Sequence, residues 1–233
     1  MSAAPAPDAG GLTAALVGER RPPKPDALAK AHRRARVVQA LLATYAAVVL
    51  GVTAWHGLDP FLSGPLPDVV IAVAFLATAA AFAAWQVAAY RLVPVLTGRP
   101  SDRSPGWAAG GYLVPFMNLW VPFQTMSEIR DAVDPDGLDG QFGSVERRPP
   151  PVHVWWTLWV AFTVGGRVFN RIPEPPYAGG VTGYEVFAIA LVAVQLAVTA
   201  AAFVVVRRVD RDLGETAGRL RMLLDDRTVC TAL

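Results

Sequence analysis

The chain has 233 residues, 53% of them hydrophobic and 17% charged, with a formal net charge of +2. Soluble domains carry roughly 25% charged residues. Here charge-rich segments alternate with long uncharged runs, which excludes a single water-soluble core and specifies a polytopic membrane protein. The lone cysteine, Cys230, excludes an internal disulfide and a cysteine-cluster metal site.

In chain order, residues 1–36 are rich in Ala, Pro, Gly and charge, and read as a disordered N-terminal tail ending in the basic "KAHRRAR". The tail lacks the early positive charge and apolar core of a cleavable signal peptide. Residues 37–58 carry no Asp, Glu, Lys or Arg, and about 20 apolar residues suffice to cross a bilayer, so they form a first span. Pro60, Gly64, Pro65 and Pro67 then stop helices, and residues 69–90 make a second uncharged span. A third span covers 149–170, with Trp155, Trp156 and Trp159 suited to an interfacial aromatic belt and Arg167 placed to snorkel outward. A fourth covers 185–206. The predicted architecture is all-α, with a four-helix membrane domain over 37–210 and a charged C-terminal tail over 211–233 that includes a partly amphipathic helix.

Arginine and lysine positions orient this bundle. With four spans and both termini in the cytoplasm, 19 basic residues fall inside and 2 outside, the asymmetry the positive-inside rule demands. The expected location is the plasma membrane, with the lipid bilayer as the obligate partner.

The segment 104–133 resists this scheme. Ser104 to Ser127 is uncharged for 24 residues, long enough to span, yet Pro105, Pro115 and Pro122 interrupt it and Gly106, Gly110 and Gly111 loosen it. Broken backbone survives in hydrocarbon only against protein or water. An added crossing would also invert the second half and move the basic C-tail outside. A rival topology lets 104–127 cross and leaves 149–166 out, at a poorer charge balance. The favoured reading is a re-entrant or interfacial element on the cytoplasmic side, with Asn118 available to satisfy freed backbone groups. Beyond Pro122, the residues Phe123, Met126, Ile129 and Val133 alternate with Gln124, Ser127, Glu128 and Asp131 at helical spacing, which predicts an amphipathic helix.

The stretch "SPGWAAGGYLVPFMNLWVPFQTMSEIRDAVDP" resembles the signature of a group of bacterial, actinobacterial-type four-span membrane proteins catalogued as a domain of unknown function. The resemblance rests on Gly106, Trp107, Gly111, Tyr112, Pro115, Asn118, Leu119, Trp120, Pro122, Phe123, Gln124, Met126, Glu128 and Ile129. Leu92 departs from the Asn often found there in the group. The resemblance implies a membrane location and four spans, and no reaction. Trp107, Pro115, Asn118, Trp120, Pro122, Gln124 and Glu128 are the candidate site residues, as a structural clamp or a binding surface.

No catalytic constellation accompanies them. Glu128 has no second acid or histidine near it in sequence, and "DPDGLDGQFGSVE" fails as a calcium loop because Leu138 and Val145 occupy ligand positions. His32, His56 and His153 are dispersed, no phosphate loop is present, and nothing points to nucleic acid. Neither a cofactor nor a metal is expected, and the sequence specifies no oligomeric state. The chain reads as a non-enzymatic interaction or regulatory module with a cytoplasmic docking surface for a cytoplasmic or membrane protein. The alternative is a small-molecule or lipid transporter or channel gated by 104–127, which the absence of ionisable residues inside the spans disfavours.

Overall fold

The computed structural model describes residues 22–58, 65–114, 116–134, 151–173 and 182–231, which contain helices and turns and no strand. Residues 1–21, the loop at Pro60, Pro115, the acidic loop from Pro135 to Pro150, residues 174–181 and the side chain of Cys230 lie outside the described residues.

Four long helices carry the fold: α1 (Pro25–Leu58), α2 (Leu66–Tyr90), α6 (Pro151–Phe169) and α7 (Gly183–Thr231). Between the second and third lie α3 (Val93–Thr97), α4 (Pro105–Gly110), a 3₁₀ turn (Met117–Leu119) and α5 (Val121–Val133). Three stretches, Pro25–Trp55, Leu66–Thr97 and Gly183–Asp225, are long and apolar enough to cross a membrane. They make the chain a membrane protein. Helix α6 is 19 residues long, about 28 Å at 1.5 Å per residue.

Sequential long helices run antiparallel. Near the middle of α1 and α2 the Tyr45 and Phe75 rings lie 6.0 Å apart, while Arg34, one end of α1, donates to the Ala84 carbonyl near the opposite end of α2 at 2.7 Å. Helix α6 enters beside Phe82, where Trp155 packs at 5.6 Å, and leaves beside α7, where Phe169 meets Tyr184 at 4.6 Å and Phe187 at 5.5 Å. A Cβ on Gly165 would stand 2.9 Å from Leu191 Cδ2, so glycine permits this close approach of α6 to α7.

One boundary differs from the sequence reading. Helix α1 begins at Pro25 rather than near residue 37, so residues 25–36 are helix and not a disordered tail. Ala31 and Ala35 are fully buried, and His32 Nδ1 lies 2.6 Å from Asp210 of α7. The tail prediction weighed bulky apolar residues, whereas here alanines seal the contact by letting two helices approach closely. The amphipathic helix expected after the last apolar run is the continuation of α7. Past Arg207 it continues, burying Val209, Leu213, Ala217 and Leu220 at helical spacing, and Thr216 Oγ1 donates to the Val133 carbonyl at 2.7 Å. The charged end of the bundle is therefore a packed layer of α1, α5 and α7.

Candidate functional site

The signature residues occupy the excursion between α2 and α6. Ser104 caps α4 in extended backbone geometry, its hydroxyl accepting the Trp107 N–H at 3.4 Å, and Pro105 follows in the first turn, where a missing amide costs nothing. Gly111 ends α4 against α5. A Cβ there would stand 2.6 Å from Val121 Cγ1 and 2.8 Å from Val121 Cβ, so only glycine fits. The chain then reverses through Phe116, whose φ of 65° is rare for a bulky residue, and the 3₁₀ turn. Helix α5 starts at Val121 with Pro122 in its first turn. Its apolar side, Met126, Ile129 and Val133, is buried, while Gln124, Ser127 and Glu128 sit half-buried on the other.

The two limbs of this hairpin are tied at their base. Arg103, just before α4, donates a guanidinium N–H to Gln124 Oε1 of α5. The Asp102 N–H donates to Glu128 Oε1 at 3.1 Å. Tyr90, fully buried at the end of α2, donates its hydroxyl to Glu128 Oε2 at 2.6 Å and accepts the Arg103 N–H at 3.1 Å. Each hydrogen bond to an ionised group contributes about 1.5–3 kcal/mol, and such chains polarise one another. Glu128 thus has a structural explanation, as the acceptor joining α2, the 101–104 strap and α5.

Beside this clasp lies an open groove of about 590 Å³, lined by Arg99, Arg103, Trp120, Phe123, Glu128 and Asp131 among others. Trp120, Gln124 and Glu128 recur one helical turn apart, so three of the seven candidates share this face. The buried Ser127 hydroxyl also lines it and has no hydrogen-bond partner among the described residues. Pro122 is buried beneath. Trp107 and Asn118 stand apart from the groove. Trp107 is half-exposed on α4, and Asn118 uses its backbone N–H for the Val114 carbonyl at 3.0 Å while its side chain makes no hydrogen bond among the described residues. Pro115 lies outside those residues. Tyr90, Arg99, Asp102 and Arg103 were not selected from sequence. Tyr90 ends an uncharged run immediately before Arg91, and that boundary position was the available clue to its role.

Toward the tip of the hairpin the surface is apolar, with Leu113 and Phe116 each 87% exposed. Tyr112 turns inward, its ring edge-on to Phe82 at 6.5 Å. Phe123 meets His153 at 5.0 Å and Trp156 at 6.1 Å, joining α5 to the start of α6. Among the described residues no group of three or more His, Cys, Asp or Glu side chains is arranged to hold a metal.

Neither a curated protein nor a solved structure matches the chain. A family model does, over residues 64–211, which takes in α2, the hairpin with its clasp, α6 and the apolar part of α7. That match covers most of the chain, and the protein belongs to the DUF4328 family, a domain of unknown function.

Proposed function

We propose that this protein is a four-span plasma-membrane protein with both termini in the cytoplasm, a re-entrant hairpin over 104–127, and a non-enzymatic role in docking a cytoplasmic protein segment. The fourth span is α6. Its last turn meets the start of α7 through Phe169 with Tyr184 and Phe187, while Trp155 near its first turn packs on Phe82 of α2, and both neighbours belong to stretches long and apolar enough to cross. Re-entrance is supported by where the hairpin starts, turns and returns. Its limbs meet at Arg103 and Gln124, beside Tyr90, whereas Tyr112 packs on Phe82, two helical turns deeper along α2. A crossing segment would separate those limbs by about 30 Å.

The observation that carries the docking role is the groove beside the clasp. It combines Trp120 and Phe123 with charges of both signs, Arg99, Arg103, Glu128 and Asp131, the mixture of aromatic anchors and arginine that protein interfaces favour. Unlike the groove, the cavity on the inner side of the hairpin is lined mainly by apolar side chains, which argues against a hydrated solute path gated by 104–127.

Two experiments test this reading. A periplasm-dependent reporter should be active when fused at Ser63 or Gly179 and silent at Gly140, and activity at Gly140 would overturn the topology. A photocrosslinker at Gln124 in living cells should trap one defined protein, with Arg99→Glu and Asp131→Arg each abolishing the adduct while the protein level holds. Adducts to lipid alone would sink the docking role.

A further inference from the structure

Exposed arginines of α1 and α7 meet on one outer flank of the bundle. Two contacts align these antiparallel helices: His32 Nδ1 lies 2.6 Å from Asp210 Oδ1, and further along Gln195 donates to the Tyr45 hydroxyl. Arg36 follows His32 by one helical turn and Arg207 precedes Asp210 by one. Both therefore stand where α1 meets α7, at levels within about 3 Å of each other at 1.5 Å per residue. Arg33 joins them one turn further from the apolar run, on the face of α1 that carries Arg36. All three are exposed.

None of the three side chains makes an ion pair or hydrogen bond among the described residues. The neighbouring carboxylates of α7 are engaged elsewhere, Asp210 by His32, and Asp212 and Glu215 by Arg211. Arg34 turns the other way and donates to the Ala84 carbonyl of α2. The flank thus gathers positive charge with no protein anion beside it to offset the repulsion. Its level is specific too. Arg36 directly precedes the run to Leu58 that is free of Asp, Glu, Lys and Arg, and Arg207 directly follows the one from Val186, which is where both helices would leave hydrocarbon. Along the apolar run, the face of α1 that carries Arg36 continues as Ala40, Ala43 and Ala47, all exposed and too small to fill the groove beside α7.

We propose that this flank binds one anionic phospholipid of the phosphatidylglycerol type, its phosphate on Arg36 and Arg207 and one acyl chain along the alanine face. Guanidinium groups pair with phosphate oxygens through parallel N–H donors, and cations at the membrane surface attract anionic lipid. A zwitterionic headgroup brings its own ammonium to a flank that already holds Arg33, so it is the poorer match. Free phosphate would leave the alanine face uncovered. The inference rests on α1 and α7 crossing the bilayer, and is independent of the hairpin and of the docking groove.

The test is native mass spectrometry of the full chain released from detergent micelles, titrated with phosphatidylglycerol or with phosphatidylethanolamine of the same acyl chains. One saturable phosphatidylglycerol adduct should form, and phosphatidylethanolamine should be captured more weakly. Equal capture of the two overturns the proposal, as does a dimer without bound lipid, which would give the flank to a second copy. Arg36→Gln and Arg207→Gln should each weaken capture about fivefold, the effect of one well-placed charge. Arg208→Gln removes an exposed charge turned about 100° away around α7 and should leave capture nearly unchanged. Equal losses in all three variants would mean diffuse attraction to a basic surface and no site. Ala43→Trp fills the groove without touching a charge and should also weaken capture. Unchanged capture by that variant, or displacement of the adduct by inorganic phosphate, would overturn the acyl-chain contact. The readout is the same whichever way the chain is inserted, so an active reporter at Gly140 would overturn the topology and leave this site standing.

Discussion

The base and the apex of the hairpin are separated by only about ten residues and solve opposite problems. At the base, Tyr90, Asp102, Arg103, Gln124 and Glu128 satisfy one another through hydrogen bonds at the charged end of the bundle. At the apex, Leu113 and Phe116 present bare apolar surface and a reversed backbone with no side-chain hydrogen bond among the described residues. A soluble protein would hide such an apex and hydrate such a base. The exposed apex makes sense when it is solvated by hydrocarbon and the base lies where water begins.

A charge at the apex should therefore have the largest effect. Leu113→Asp places a carboxylate among apolar groups, and a charged residue deep in a bilayer costs about 2.5–3.5 kcal/mol on insertion scales. The expected result is a sharp fall in the folded, membrane-inserted fraction, measured by thermal unfolding in nanodiscs. If Leu113→Asp matches wild type in nanodiscs, the apex is in water and the contrast with the base collapses.

Next in size is the packing that joins the limbs. Gly111→Ala would drive its new methyl into Val121, and overpacking of this kind costs about 1–3 kcal/mol. Val121→Ala should rescue part of that loss, and a double-mutant cycle of unfolding free energies measures the coupling. Strict additivity would mean that the limbs do not touch there.

The clasp itself comes third. Glu128→Ala leaves the Tyr90 hydroxyl and the Asp102 N–H without their acceptor, for about 1–3 kcal/mol. Glu128→Gln keeps one of the two acceptor oxygens and replaces the other with a donating NH2, so it should lose part of that stability by thermal unfolding, less than Glu128→Ala. A Glu128→Ala variant as stable as wild type would show that these hydrogen bonds do not hold the base together.

How legible this was in the sequence varied with the kind of signal. Uncharged runs near 37–58, 69–90 and 185–206 stand out because the bilayer imposes both length and apolarity, and the helices found there span them. Helix α5 followed from the spacing of Met126, Ile129 and Val133, which are indeed its buried side. The clasp was half visible: Gln124 and Glu128 were selected, but their partners lie 21 to 38 residues away, and no local periodicity reports a tertiary pairing of that range. The helical extension over residues 25–36 was missed because its buried residues, Ala31 and Ala35, are small, and sequence hydrophobicity undervalues close packing.

The smallest expected effect tests why the reversal uses Phe116 at all. Its φ of 65° and ψ of −40° suit glycine, and holding a bulky residue in a sparsely populated region costs about 1–3 kcal/mol. Phe116→Gly should relieve that strain and also delete an anchor whose insertion contributes about 0.3–0.6 kcal/mol. In detergent the strain relief should dominate, raising the unfolding midpoint. In nanodiscs the lost anchor should offset part of that gain, so the midpoint should rise less. The difference between the two rises isolates the contact of Phe116 with the bilayer. Equal rises would show that the ring makes no such contact, and the apex would then differ from the base in its bonding alone and not in its solvent.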